Sequence, residues 1–465
     1  MVECEWRRAL VTKETSFVAH SRPVVDEIVP TYEACAGGVL DYTLGMQQKP
    51  LKAYANVGLM RLARRFRSST NPARPVVAYA EPTLYCNLGC PACPTGLKLD
   101  VRPRVAMEFE WYRRVLDELG PYLFFLNLYN WGEPLLHKQF PEMVAYAKQW
   151  DIRVIASSNL SLPLEREYLE RLVRSGLDKL KVGMEGTSQE EYARYRVRGN
   201  FDLVTGNMRT IQEIKRELGL RTPKILIGFH VFEHNQHSVQ EARRRYREWG
   251  ADGISFAASF VSEQAEQQGI RPSTIDAFNL YRAAGLETSR EPCSWLWGAI
   301  VANPSGSISP CCGVVDERSD FVRDARGKSI FGTVWNNAVY RRARRITAKP
   351  RAHGGRRVHL PRDGMQLSSI PTRERELICE RCPIPFRQDY VDRMVDKVAN
   401  DVITQMRHGK RLRIRLRASL AFVLMGMPKG KRRRARADDA QPPEPRDTER
   451  ERLLLTGAGG ASGRP

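Results

Sequence analysis

The sequence predicts an α/β protein whose central region is a run of six βα units, arranged either as an open doubly wound sheet or as a partial barrel. Short β-branched or aromatic runs alternate with long amphipathic stretches from residue 76 to about residue 260, the pattern of a parallel sheet covered by helices. The chain has 465 residues, which at about 100 to 200 residues per domain leaves room for two or three domains. Its composition, 42% apolar and 27% charged, is that of a soluble globular chain and excludes a wholly disordered or fibrous one.

Residues 1–45 carry no clean period and no apolar run of the kind that heads a secretory signal. Over 47–67, Leu51, Tyr54, Val57, Leu59, Met60 and Leu62 recur at near-helical spacing with Arg61, Arg64, Arg65 and Arg67 between them. That spacing predicts a basic amphipathic helix within an N-terminal extension of residues 1–75. The polar stretch 68–74 reads as a linker. Strands are expected at 76–81, 123–129, 153–157, 179–184, 224–231 and 253–256, with helices at 108–119, 139–149, 164–175, 189–196, 201–218 and 238–249. Both arrangements of such units place ligands at the carboxyl ends of the strands. Beyond a polar stretch at 262–273 lies a second domain, 291–392, richer in Cys, Gly and Pro, with a hairpin over 299–310 turning at Ser305-Gly306 and a basic aperiodic loop at 349–372. Residues 406–465 are expected to be a basic helix followed by a disordered tail.

The formal net charge is +21, and residues 406–436 hold twelve Lys or Arg and no Asp or Glu. Their apolar run, 418–427, is half of the about 20 residues that a membrane span requires. A basic helix of this kind can lie peripherally on an anionic membrane surface, such as the inner face of a cell membrane, or remain a solvated tail. Nucleic acid is a poorer partner, because basic and aromatic residues do not interleave and no nucleic-acid-binding module is present. Ten cysteines are too sparse for a disulfide scaffold, and eight of them fall into two groups, which points to metal ligands in a reduced, cytoplasmic protein.

The first group, Cys86, Cys90 and Cys93, has C-x3-C-x2-C spacing just past the first predicted strand. Three thiolates on one short loop can hold three irons of a 4Fe-4S cube and leave the fourth open. A zinc ion with a remote fourth ligand is the other reading. The spacing resembles the signature of radical S-adenosylmethionine (SAM) enzymes. That resemblance implies a partial (β/α)6 TIM-type barrel over 76–260, a SAM-binding 4Fe-4S cluster, and a reducing partner such as flavodoxin or ferredoxin. In that family SAM is cleaved reductively to a 5'-deoxyadenosyl radical that takes a hydrogen atom from substrate.

The resemblance extends to further segments and implies cofactor contacts for each. Gly132, Glu133 and Pro134 are similar to the family's turn that receives the SAM amino group. Ser158 and Asn159 end the third strand, where relatives approach the ribose and carboxylate. Glu185 closes the fourth strand, and Arg196, followed by Asn207, resembles a pattern in which the arginine nears the SAM carboxylate, a planar group suited to a guanidinium. The chain departs from the family at Ala92, where an aromatic residue usually packs on adenine, at Trp131, which replaces a glycine, and at Gly183, which replaces a serine.

The second group, Cys293, Cys311, Cys379 and Cys382, could fill every corner of a cube or a tetrahedral zinc site. Cys293-x12-Gly306-x4-Cys311, with Gly332, Trp335 and the final C-x2-C, resembles the SPASM or twitch extension of radical SAM enzymes. The resemblance implies one auxiliary 4Fe-4S cluster that accepts an electron from a substrate radical, with Cys312 spare or exchanging with Cys311. Three functions follow: a radical SAM oxidoreductase acting on a small metabolite, a peptide-modifying maturase of the same superfamily, or a non-enzymatic zinc-binding module with a basic tail. Glu185, His230 and His234 all lie near strand ends as candidate proton acceptors, and the sequence does not choose among them.

Overall fold

The computed structural model describes residues 49–259, 261–279, 286–287, 292–348 and 357–358, and positions 377, 379, 382 and 394. The basic helix and tail at 406–465, most of the loop at 349–372 and all of residues 1–48 lie outside the described residues.

Six short strands carry the central region: β1 (Val77–Ala80), β2 (Phe125–Asn127), β3 (Arg153–Ser158), β4 (Lys179–Gly183), β5 (Lys224–Val231) and β6 (Gly253–Ala258). Helix α1 (Leu51–Arg65) precedes them; α2 (Phe109–Leu119), α3 (Phe140–Lys148), α4 (Arg166–Arg174), α5 (Gln189–Tyr195), α6 (Phe201–Glu217) and α7 (Val239–Arg245) lie between them. Each strand pairs in parallel with its predecessor, in the unbroken order β1 to β6. A doubly wound sheet reverses its strand order part-way; this sheet does not, and the architecture is therefore the partial barrel. Along β5, Ile225, Ile227, Phe229 and Val231 are buried, while Leu226, Gly228 and His230 on the opposite face are half-buried. That alternation is the period of a strand, with one face on the core and the other on an open interior.

The extension continues this sheet instead of standing apart from it. After α8 (Glu263–Gln267) and a two-residue β7 (Leu286–Glu287) come α9 (Trp295–Gly298), β8 (Ala299–Ala302) and β9 (Ile308–Ser309). Strand β8 pairs in parallel with β1, and β9 folds back antiparallel on β8, which is the hairpin expected at Ser305-Gly306. Helix α10 (Ala338–Ala348) follows, and β10 (Arg357–Val358) pairs with β7.

Two expectations about the N-terminal extension need correction. The helix exists, but the face it buries is Ala53, Asn56, Met60 and Ala63. Leu51, Leu59 and Leu62, counted above as its apolar stripe, are exposed. Asn56 fixes the rotation: its side chain donates to the Arg74 carbonyl at 2.9 Å and accepts from the Arg74 amide at 2.8 Å. Small residues beside it allow close approach to the core. Nor is 68–74 a loose linker. Asn71 is buried and donates to the Trp297 carbonyl at 2.7 Å, and the Trp335 indole donates to the Ala73 carbonyl at 2.8 Å. Arg344, itself buried, donates to the carbonyls of Ser69, Leu296 and Trp335. These contacts fasten the extension to the start of the barrel.

A second clamp joins the loop after the first cysteine group to the hairpin leading to Cys311. The buried Asp320 carboxylate takes both Nη1 and Nη2 of Arg102, at 2.6 and 2.8 Å, and the hydroxyls of Ser307 and Ser309, each at 2.5 Å. A buried ion pair of this kind holds its geometry because hydrogen bonds satisfy the remaining lone pairs.

Candidate functional site

The first cysteine loop leaves the carboxyl end of β1 and turns back on itself, with the Cys93 amide donating to the Cys90 carbonyl at 3.2 Å. Cys86, Ala92 and Cys93 pack against a small apolar cluster that contains Leu88, Cys90, Tyr195 and Phe232, separate from the main core. None of the eight described cysteines is in a disulfide. Burial pushes the Cys86 thiol up to about 12 and raises that of Cys90 as well, and the neighbouring thiols press in the same direction. Such thiols stay protonated until a metal cation beside them repays the cost of ionising in a dry site. Among the described residues no three His, Cys, Asp or Glu side chains are gathered as they would be round one metal ion. The fit to an iron-sulfur cluster rests on the loop itself, which offers three thiols, each able to bind a different iron of a cube.

Glu81 closes β1 and organises the turn that follows β2. Its buried carboxylate accepts from the amides of Asn130, Trp131 and Gly132 at 3.2, 2.7 and 3.1 Å. Burial pushes Glu81 up to about 7 against the pull of those three amides. The turn is fastened again where the Glu133 amide donates to the Tyr85 carbonyl at 2.8 Å. Gly132 is required here, since a Cβ would sit 1.9 Å from the Thr83 carbonyl oxygen. The sequence reading assigned no role to Glu81; the signal available was a carboxylate ending an otherwise apolar strand.

Glu133 and the end of β3 form the next wall. The Glu133 carboxylate accepts from the Ser158 hydroxyl at 2.7 Å, the Asn159 amide at 2.7 Å and the Leu135 amide at 3.0 Å. Pro134 begins a single buried turn behind it. The Asn159 side chain donates to Asn87 at 2.9 Å and lies 3.8 Å from the Cys86 sulfur. Asn207 stands behind this wall, donating to the carbonyls of Leu160 and Leu162 at 2.9 and 2.8 Å. It acts on the site through that segment.

Glu185 and Arg196 form the opposite wall. Glu185 is completely buried, and its carboxylate takes Nε and Nη2 of Arg196 at 2.5 and 2.8 Å and Nδ1 of His230 at 2.9 Å. Burial alone would raise its carboxyl; Arg196 and His230 overcome that and hold it down at about 2. Arg196 Nη1 lies 3.8 Å from the Cys90 sulfur. The three candidate proton acceptors are thereby separated. Glu185 is ion-paired. His234 is stacked on Phe232 at 5.6 Å, both its ring nitrogens are buried without a partner, and burial lowers it to about 4. His230 is half-exposed and oriented by Glu185.

The second group converges too. Cys293 precedes α9, Cys311 follows β9, and both pack with Cys312, Cys379 and Cys382 against the main core. Burial pushes Cys293 up to about 12, with Cys382 adding to it. Burial raises Cys311 further, and the thiols of Cys312, Cys382, Cys379 and Cys293 all bear on it.

The model of the radical SAM superfamily matches residues 80–242. The chain carries a radical SAM domain. A 4Fe-4S cluster and SAM are the cofactors of such a domain, and the residues described above fit them. The chain is similar to the Fe-coproporphyrin III synthase of Methanosarcina barkeri, 29% identical over 148 residues, which are 32% of this chain and 36% of that protein. It is also similar to the PqqA peptide cyclase of Gluconobacter oxydans, 23% identical over 265 residues, 52% of this chain and 71% of that one. It thus spans about a third of the first relative's length and more of the second's. Among solved structures, anSMEcpe with bound AdoMet shows a TM-score of 0.43 at 15% identity, covering 70% of this chain and 100% of that one. Among the described residues no helix is long and apolar enough to cross a membrane.

Proposed function

We propose that this radical SAM protein is an oxidoreductase with two cluster sites, Cys86, Cys90 and Cys93 holding the SAM-binding cluster and Cys293, Cys311, Cys379 and Cys382 an auxiliary one. Bound there, the clusters and SAM supply reductive cleavage of the sulfonium, abstraction of a substrate hydrogen atom and an acceptor for the remaining electron. The observation that carries the reading is the first loop: the buried Cys90 and the half-buried Cys86 and Cys93, with Asn159 beside Cys86 and Arg196 beside Cys90, at the carboxyl end of β1.

The chain's own residues have distinct tasks in this reading. The turn Gly132-Glu133-Pro134, held by Glu81, offers backbone carbonyls to the SAM amino group. Ser158 and Asn159 keep that turn and the cysteine loop in register. His230 takes the substrate proton: Glu185 engages its Nδ1, which leaves the other ring nitrogen as the basic one. Four thiolates saturate the auxiliary cluster, so substrate does not bind it through iron. The reading takes a small metabolite as substrate and a flavodoxin or ferredoxin as reductant. Relatives named PqqA peptide cyclase favour a peptide as the second reading.

Anaerobic purification tests the proposal. Brown protein with about eight irons per chain, two cubes' worth, that cleaves SAM after dithionite reduction supports it; colourless protein containing zinc refutes it. Stimulation of SAM cleavage by candidate metabolites, or by short peptides encoded beside the gene, distinguishes the two substrate classes.

A further inference from the structure

We infer that Arg196 tunes the cluster of the first cysteine loop: its guanidinium is a fixed hydrogen-bond donor to the Cys90 sulfur, positioned by Glu185, and it raises the cluster's reduction potential. The inference rests on the proposal that Cys86, Cys90 and Cys93 ligate that cluster.

The guanidinium is held on every side. Its Nε and Nη2 form a two-point pair with the fully buried Glu185 carboxylate at 2.5 and 2.8 Å, which leaves Nη1 directed to Cys90, 3.8 Å from the sulfur. Glu185 is in turn anchored by His230 Nδ1 at 2.9 Å, on the same oxygen that receives Nη2. The Tyr195 ring lies 5.4 Å from the guanidinium carbon. The remaining side is β4. A Cβ on Gly183 would stand 2.0 Å from Nη2, so the guanidinium lies directly over the strand backbone at the place where similar enzymes carry serine. In this chain, glycine at 183 leaves the space that the guanidinium occupies. One backbone contact keeps the partners together, the Gly89 amide on the Val197 carbonyl at 3.0 Å, while the Arg196 amide closes its own helix on the Tyr192 carbonyl at 2.9 Å.

The sign of the effect follows from charge. Reduction adds one negative charge to the cluster, spread over its sulfurs, and hydrogen bonds to those sulfurs stabilise the reduced form and raise the potential. Arg196 and Glu185 are together neutral, but the cationic end faces the sulfur and the anionic end faces away, toward His230. In a dry site this oriented dipole acts with little screening.

The experiment uses the full chain with reconstituted clusters and follows, by EPR redox titration without SAM, the cluster whose signal changes when SAM is added. The test variant is Arg196→Gln combined with Glu185→Gln, which removes both charges and leaves no buried ion unpaired. The reduced-to-oxidised ratio at a fixed ambient potential is expected to fall about tenfold, which for a one-electron couple is 59 mV, with iron content and melting temperature close to wild type. Arg196→Lys, which keeps the charge but cannot make the two-point pair, is expected to give a smaller fall, about threefold, and serves if the double variant does not fold. An unchanged potential in either folded variant overturns the inference, and a rise in the SAM dissociation constant without a shift in potential assigns Arg196 to the SAM carboxylate instead. Wild-type protein that assembles no SAM-responsive cluster overturns the functional reading and this inference together.

Discussion

Glu185→Gln should remove a contribution to stability that wild-type protein itself loses in acid. The carboxyl is completely buried, yet Arg196 and His230 hold it at about 2 against an ordinary value of 4.5. At about 1.4 kcal/mol per unit, that difference contributes on the order of 3 kcal/mol at neutral pH. The folded value lies below the unfolded one, so the contribution is complete above the unfolded value and is lost as the pH falls through the range down to about 2. The assay is urea unfolding of the cluster-free protein, wild type and variant in parallel, from neutral pH into acid. The variant should be less stable by about 3 kcal/mol near neutral pH, and the gap should close as the wild-type carboxylate takes up its proton. A gap that stays constant across the acid range would refute the ion-pair argument, because a loss due only to shape does not titrate.

Other positions give equally direct expectations. Gly132→Ala forces a methyl group against the Thr83 carbonyl; differential scanning should show destabilisation of about 3 kcal/mol, and equilibrium dialysis should show loss of SAM binding. Asp320→Asn leaves Arg102 buried without its counter-ion, and urea unfolding should register a cost of about 3 to 5 kcal/mol. Burial lowers Lys49 to about 7; its folded value lies below the unfolded one, so wild-type stability should climb as the pH rises from 7 toward 10, and Lys49→Met should abolish that climb. Leu62 and Phe66 are 54% and 77% exposed, and serine at either position should change stability by less than about 0.5 kcal/mol.

The strands of the barrel were legible because each is a run of apolar residues set between helices of recognisable period, and local pattern reports burial reliably when both faces of a strand are covered. Strand β5 spans the expected 224–231, whereas β2 is regular only over Phe125–Asn127, shorter than the expected 123–129, although Leu123, Phe124 and Leu128 beside it are buried. Helix α1 shows the pattern failing. Its leucines define a stripe on paper, but Asn56 and three small or flexible residues face the core, because a hydrogen bond to Arg74 and close packing outweighed the larger side chains. Polarity misled in the same way at 68–74, where Asn71 and its neighbours are polar because they bond the extension, not because they face solvent.

The sequence by itself determined the presence of a radical SAM domain, since the spacing of Cys86, Cys90 and Cys93 along a short loop is a local property that survives without coordinates. Tertiary structure decided what surrounds those thiols. It chose barrel over doubly wound sheet through strand order, joined the extension to β1, and brought Glu81 under the Asn130-Trp131-Gly132 turn and Arg196 onto Cys90. Those partners lie between 45 and 218 positions apart in cases such as Glu185 with His230 and Arg102 with Asp320. The energy of such a contact depends on where folding carries each group and on how dry that place is, and neither quantity is written in the residues adjoining it.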